Sequence, residues 1–202
     1  MAAAPRLVVA TGNAGKLREI RALLEPTGWQ ALSLAEAGID HAEVVETGRS
    51  YLENAVAKAV AVAHASGLPA LADDSGLEVD ALGGRPGVTS ARYGGPLLTD
   101  RERSARLLRD LEDVPRARRQ ARFRSIVVLA LPHGERYVRE GLLEGRIAEA
   151  PRGENGFGYD PVFEIADGRT LAEIGDEKQQ ISHRSRALRA MMSVLGVLHD
   201  RA

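Results

Sequence analysis

Apolar positions along this chain first form a short run, Leu7-Val8-Val9-Ala10, and then recur at Leu17, Ile20, Leu23 and Leu24 beyond a polar, glycine-containing turn. The run reads as a buried strand and the three-to-four spacing as one face of an amphipathic helix. Residues 29–34 offer a second strand. Ser50-Tyr51-Leu52-Glu53 has the form of a capping box opening a helix to about Ser66, with Leu52, Ala55, Val56, Ala59, Val60 and Ala63 as its apolar face. Gly67 ends it, and residues 68–72 form a short buried strand. A second box, Thr99-Asp100-Arg101-Glu102, leads a helix carrying Ala105, Leu107, Leu108 and Leu111.

Residues 122–131 predict a strong strand, and Pro132-His133-Gly134-Glu135 a turn into a strand at 136–139. A further segment at 142–149 would extend this into an antiparallel meander, and a last helix is expected over about 184–198. Early strand–helix units followed by an antiparallel stretch predict an α/β fold with a mixed sheet. The chain has no repeat, low-complexity tract or linker rich in Pro, Gly or Ser, so one domain of two lobes sharing a sheet is expected.

The turn after the first strand is Thr11-Gly12-Asn13-Ala14-Gly15-Lys16. A strand turning into a helix presents unpaired backbone N–H groups at the positive end of the helix dipole, which suits an anion. Lys16 adds a point charge, so a phosphate chain is the expected ligand. The segment is not a P-loop: Ala10 stands where that motif needs glycine, and Leu17 where it needs Ser or Thr. Nor does it match the dinucleotide fingerprint G-x-G-x-x-G. An ordinary strand–turn–helix with solvent-facing Asn and Lys is the bland alternative.

Composition narrows the classes. At 202 residues the chain can bury a full core, and its formal charge of −1 gives no basic footprint for nucleic acid. Cysteine is absent, which removes disulfides, thiolate zinc sites and cysteine nucleophiles. No apolar run approaches membrane-spanning length, and residues 1–6 carry no signal-peptide core. A soluble, cytoplasmic protein without membrane or nucleic-acid partners is expected.

Four further segments carry candidate chemistry. In Ala72-Asp73-Asp74-Ser75-Gly76 a buried strand delivers adjacent carboxylates into a turn. Extended geometry points them to opposite sides, so they should not share a task. One could bind a hard cation or activate water while the other supports the turn or Lys16; a plain polar turn is the alternative. Glu53 is most simply a cap, Lys58 reads as solvent-facing, and Glu46 has no structural duty and is available to a metal. Gly153-Glu154-Asn155-Gly156-Phe157-Gly158-Tyr159-Asp160-Pro161 is a glycine-rich loop whose rings could stack on a base, with Asp160 accepting from ring N–H groups, or could simply join the core. Lys178, His183 and Arg184 gather cations at a helix start, where they oppose the dipole unless Ser182 caps it.

Taken together, the segments around Thr11–Lys16, Glu46-Thr47-Gly48, Glu53-Asn54-Ala55 with Lys58, and Asp73-Asp74-Ser75-Gly76-Leu77 resemble the inosine triphosphate pyrophosphatase family. So do Gly83-Gly84-Arg85-Pro86-Gly87-Val88, Ser90-Ala91-Arg92-Tyr93, Gly156-Phe157-Gly158-Tyr159-Asp160-Pro161 and Ile181-Ser182-His183-Arg184. The resemblance implies an elongated mixed β-sheet flanked by helices, two lobes with a central active-site cleft, and a homodimer. It implies hydrolysis of deaminated purine nucleoside triphosphates (ITP, dITP, XTP) to monophosphate and pyrophosphate.

By the same resemblance Thr11, Gly12, Asn13, Ala14, Gly15 and Lys16 hold the triphosphate with help from Lys58. Asp74 is metal ligand or water-activating base, and Ser75 touches substrate. Phe157, Gly158, Tyr159, Asp160, Lys178, His183 and Arg184 form the base pocket. Mg2+ would be held by Asp74 and Glu46. Some relatives carry two consecutive glutamates before Thr-Gly, but here Val45 precedes Glu46, so Glu46 must be the second carboxylate. The rivals are a pyrophosphatase for modified pyrimidines or 7-methylguanine, a non-catalytic nucleotide-binding regulator, and a nucleotide kinase, which would lack its P-loop.

Overall fold

The computed structural model describes residues 4–39 and 48–200. The chain divides into two compact units. The first comprises Met1–Asp74, Ser125–Gly141 and His183–Ala202, and the second Ser75–Arg124 and Leu142–Ser182. Among the described residues six strands form a sheet in the order β2-β1-β3-β4-β5-β6. They are β1 (Arg6–Val9), β2 (Gln30–Leu32), β3 (Ala70–Val79), β4 (Gln120–Ala130), β5 (Arg136–Ile147) and β6 (Phe163–Glu164). Parallel pairing sets Leu7 against Ala31 and Val8 against Ala70, while β5 and β6 run antiparallel with Ile147 opposite Phe163. The mixed α/β class expected from the sequence is observed.

In the first unit α1 (Ala14–Leu24), α2 (Tyr51–Ser66) and α6 (His183–His199) accompany the strands. Leu7, Val9, Ile20, Leu24, Leu71, Val127, Leu129, Leu188, Met191 and Leu195 make its core. Asn13 caps α1, its Oδ1 accepting from the Lys16 N–H at 2.9 Å. At α2 half of the expected capping box forms. The Ser50 hydroxyl accepts from the Glu53 N–H, but the Glu53 carboxylate takes the Arg49 N–H instead of that of Ser50.

The buried face of α2 also differs from the predicted one. Tyr51, Asn54, Ala55, Lys58, Ala59, Val62 and Ala63 point inward, whereas Leu52 and Val60 are exposed. The stripe is turned because Asn54 and Lys58 find polar partners inside, described below. Solvent was the expectation for Lys58; the structure buries it.

The second unit holds α3 (Asp100–Asp110), α4 (Leu171–Ile174) and α5 (Lys178–Ile181). Its core is formed by Leu77, Val79, Leu107, Leu111, Phe123, Ile147, Tyr159, Val162, Phe163 and Leu171. Thr99 and Glu102 complete the capping box predicted for α3, and Thr170 with Glu173 makes another at α4.

Two strand boundaries correct the sequence expectation. Asp73, Asp74, Ser75 and Gly76 are not a turn but the interior of β3, which continues to Val79. Segments 136–139 and 142–149 are not successive strands either, since β5 runs through Gly141 without a break. The glycine is there for contact: a Cβ at Gly141 would lie 2.0 Å from the His183 carbonyl oxygen and 2.6 Å from the Ala187 N. Strand and helix backbone thus meet at the first turn of α6. Gly141→Ala is expected to cost about 1–3 kcal/mol, because backbone rather than a flexible side chain has to move. The melting temperature should fall by roughly 2–4 °C for each kcal/mol in a domain of this size. An unchanged melt would show that the strand and helix backbones have room for a methyl group there.

Candidate active site

The parallel strands β1 and β3 bring two polar segments together in the first unit. At the end of β1 the chain turns through Thr11 and Gly12 into α1. The Thr11 hydroxyl oxygen accepts from the Asn13 N–H at 3.1 Å, while Gly12, Asn13 and Ala14 stay exposed. The turn is exposed and stands at the positive end of an eleven-residue helix, where the helix dipole favours negative charge.

Asp73 and Asp74 occupy adjacent positions of β3 and have separate partners. Ser125 donates to Asp73 Oδ1 at 2.5 Å. Oδ2 receives Arg184 Nε at 3.1 Å, Arg184 Nη2 at 3.0 Å and the Lys16 ammonium at 2.9 Å. Arg184 Nη1 also donates to Glu19. Asp74 Oδ1 accepts from Lys58 Nζ at 3.1 Å, and its Oδ2 from the Asn54 amide at 3.1 Å. The Gly48 N–H donates to Asn54 Oδ1 at 2.9 Å, which turns the amide nitrogen toward Asp74.

These surroundings drive the two carboxyls apart. Burial alone would raise Asp73, but the Arg184 and Lys16 charges and the Ser125 hydrogen bond outweigh it and hold the group well below the usual carboxylate range. At Asp74 burial prevails: the carboxyl is raised, with Lys58, Lys16 and Asn54 pulling it back only in part. Asp73 is therefore a permanently charged anchor for Lys16, the supporting task one of the two acids was expected to take. Asp74 is the one of the pair whose charged form its surroundings disfavour.

The lysines converge. Lys58 Nζ donates to the Asp73 carbonyl at 3.1 Å and Lys16 Nζ to the same carbonyl at 3.4 Å. Two ammonium groups beside one backbone oxygen, at the start of α1, suit bridging phosphates of a polyanion.

Among the described residues no group of three or more His, Cys, Asp or Glu side chains is gathered for a metal ion. Magnesium does not require one, since it is commonly bound by one or two carboxylates together with substrate phosphates. Asp74, whose buried anion is incompletely compensated, fits that chemistry. Glu46, expected as the second carboxylate, lies outside the described residues.

In the second unit the loop before β6 is braced from within. Asp160 Oδ2 accepts from the Phe157 N–H at 2.9 Å and from Lys178 Nζ at 2.6 Å. The Lys178 ammonium also lies 4.6 Å from the centroid of the Phe157 ring. Gly158 donates to Asp100 and accepts from Ser104, which ties the loop to α3. At Gly156, with φ of +80°, a Cβ would collide with the Asp160 carboxylate.

Tyr159 was expected beside a base. It is instead 5 % exposed in the core, its hydroxyl donating to the Ser90 carbonyl at 2.9 Å. Asp160, expected to accept from a base, is turned inward onto the loop and Lys178. Phe157 is the half-buried ring of the loop. His183 and Arg184 open α6 and are both buried; the Arg184 guanidinium serves Asp73 and Glu19. Those two carboxylates answer the electrostatic misfit of a cation in the first turn of a helix.

Sequence reasoning assigned no task to Glu19, Asn54, Ser125, Asp100 or Ser104. Asn54 did carry a signal, a polar residue one position from an otherwise alanine- and valine-rich stripe. Ser125 carried none, as one small polar residue in a long apolar strand.

Residues 7–194 match the Ham1 family. A dITP/XTP pyrophosphatase of Thermus thermophilus is 53 % identical over 189 residues, covering 93 % of this chain and 90 % of that protein. The dITP/XTP pyrophosphatase of Bacillus subtilis is 47 % identical over 190 residues, covering 93 % and 96 %. Among solved structures, the HAM1 protein of Coxiella burnetii superposes with a TM-score of 0.84 at 40 % identity, covering 95 % of this chain and 98 % of its own. The chain belongs to the Ham1 family, in accord with the resemblance carried by its motifs.

Proposed function

We propose that this protein hydrolyses deaminated purine nucleoside triphosphates, ITP, dITP and XTP, to the nucleoside monophosphate and pyrophosphate. This would remove them from the nucleotide pool before they enter DNA or RNA. The observation that carries the proposal is the pairing of Asp74, a buried carboxyl raised by its surroundings, with two lysines converging on the adjacent backbone carbonyl. The Thermus and Bacillus relatives, both dITP/XTP pyrophosphatases, point the same way.

In the proposed reaction a water oxygen attacks the α-phosphorus and the bond from that phosphorus to the bridging α–β oxygen breaks. Asp74 accepts the water proton, a task suited to a carboxyl whose burial raises its affinity for a proton. Lys16 and Lys58 offset charge on the departing pyrophosphate. The turn from Thr11 to Gly15 grips phosphates, and Ser75 contacts the substrate. Mg2+ would be held by Asp74 and Glu46 and, when bound, would supply positive charge to the phosphoryl oxygens. Phe157 stacks on the base, with Gly158, Tyr159 and Asp160 bracing that loop, while Lys178 and His183 supply donors. No helix among the described residues is long and apolar enough to cross a membrane. A cytoplasmic homodimer completes the proposal, resting on the family resemblance.

The test is release of pyrophosphate from ITP in the presence of Mg2+, abolished by EDTA and restored by added Mg2+. Release of orthophosphate would overturn cleavage between the α- and β-phosphates. Tight binding of ITP without product would make the protein a nucleotide-binding regulator instead.

A further inference from the structure

Lys16, Asp73, Arg184 and Glu19 form a chain of alternating charge within the first unit, with both ends on α1. From Lys16 on α1 it passes to Asp73 on β3 at 2.9 Å, then to Arg184 on α6 through bonds of 3.0 and 3.1 Å. Arg184 then donates to Glu19, one turn along α1 from Lys16. Arg184 and Asp73 are 2 % and 1 % exposed, and Glu19 is 8 % exposed. Ser125 holds the other oxygen of Asp73 at 2.5 Å. The chain of charges grips α1 at two points and aims a lysine whose four-carbon stem would otherwise sample many rotamers.

We propose that Glu19 and Arg184 are positioning residues for the phosphate grip, setting the Lys16 ammonium through Asp73 before a polyphosphate arrives. The inference rests on the function proposed above and assigns Arg184 a task different from contact with the purine. Ordering a long side chain in advance removes a binding cost worth up to about tenfold in affinity. The guanidinium donates twice to one oxygen of Asp73 and once to Glu19, a fixed planar geometry that an ammonium cannot reproduce.

The experiment compares wild type with Glu19→Gln, Arg184→Lys and Ser125→Ala, each first checked by circular dichroism and a thermal melt. Affinity for sodium tripolyphosphate, a probe with no base, is measured by calorimetry with Mg2+ present. Steady-state kinetics are measured with ITP and ATP. Glu19→Gln and Arg184→Lys are expected to weaken tripolyphosphate binding and raise KM for ITP by about tenfold. Ser125→Ala should shift both in the same direction by less, while kcat and the ITP-to-ATP ratio move little.

Arg184→Lys keeps the charge, so weakening there reports geometry. Tighter tripolyphosphate binding in Glu19→Gln would mean that only net charge matters, and would overturn the proposal. So would a changed ITP-to-ATP ratio in Arg184→Lys with tripolyphosphate affinity intact, which would place Arg184 on the base. If Glu19→Gln does not fold, Arg184→Lys and Ser125→Ala decide. A wild-type protein that binds tripolyphosphate yet releases no pyrophosphate from ITP refutes the proposed function, while the calorimetric comparison still tests the chain of charges.

Discussion

Replacing Asp74 by Asn is expected to lower pyrophosphate release from ITP by about 10³-fold or more, with the fold retained. The loss has two sources: the amide cannot take the proton of the attacking water, and it is a poor ligand for a hard cation. Acid–base catalysis alone is typically worth 10²–10⁴-fold. The fold should survive because the native carboxylate is already penalised by burial, and a neutral isostere relieves that penalty. Lys58 keeps its bond to the Asp73 carbonyl in the variant. What is lost is the matched pairing at Asp74, where both native neighbours, Lys58 and Asn54, donate. An Asn offers one acceptor oxygen and sets its NH2 group against a donor. A coupled pyrophosphate assay beside a thermal melt reads both consequences. Near-wild-type turnover with Mg2+ would remove Asp74 from the chemistry, and an unfolded variant would assign it to stability instead.

The second large effect expected is discrimination between ITP and ATP, by ~10⁴-fold in kcat/KM. Hypoxanthine and xanthine present a carbonyl at position 6 and an N1–H. Adenine presents an amino group and an acceptor, so donors and acceptors are exchanged at both positions. A site that offers a donor to the carbonyl leaves it facing another donor when adenine is bound. Unpaired buried groups of this kind reject an analogue by roughly 10⁴–10⁵-fold, whereas shape alone gives far less. His183 is the donor that the proposed function assigns, and stacking by an aromatic ring favours neither base. GTP shares the 6-carbonyl and is not rejected by this contact, so its rate should exceed that of ATP. Measuring kcat/KM for ITP, XTP, GTP and ATP decides the matter; equal values for ITP and ATP would refute the account.

Much of the local architecture was legible in the pattern of residues. The helix after Asn13, the capped helices after Ser50 and Thr99 and the terminal helix fall within a residue or so of expectation. Each is announced by signals confined to a few neighbouring positions, a capping side chain and an apolar stripe. The misjudged places share one property. Asp73-Asp74-Ser75-Gly76 looked like a turn because it is polar, and Lys58 looked solvent-facing because it is charged. Both are buried, and burial of charge depends on partners that no local window contains. Lys16 meets Asp73 across 57 residues of sequence, Asp73 meets Arg184 across 111, and Glu19 meets Arg184 across 165.

The sequence by itself therefore determined the long helices, the places of the first five strands though not the extent of β3 and β5, the phosphate-suited turn at Thr11–Lys16, and the family through its ordered motifs. It also established that Asp73 and Asp74 face opposite ways, since side chains alternate along an extended strand. Which of the two is spent on structure was decided only by the tertiary fold. That fold sets Arg184, Lys16 and Ser125 around Asp73, and gives Asp74 one lysine and one amide. A carboxyl's chemistry follows the balance between desolvation and nearby charge, and that balance exists only once distant segments have packed.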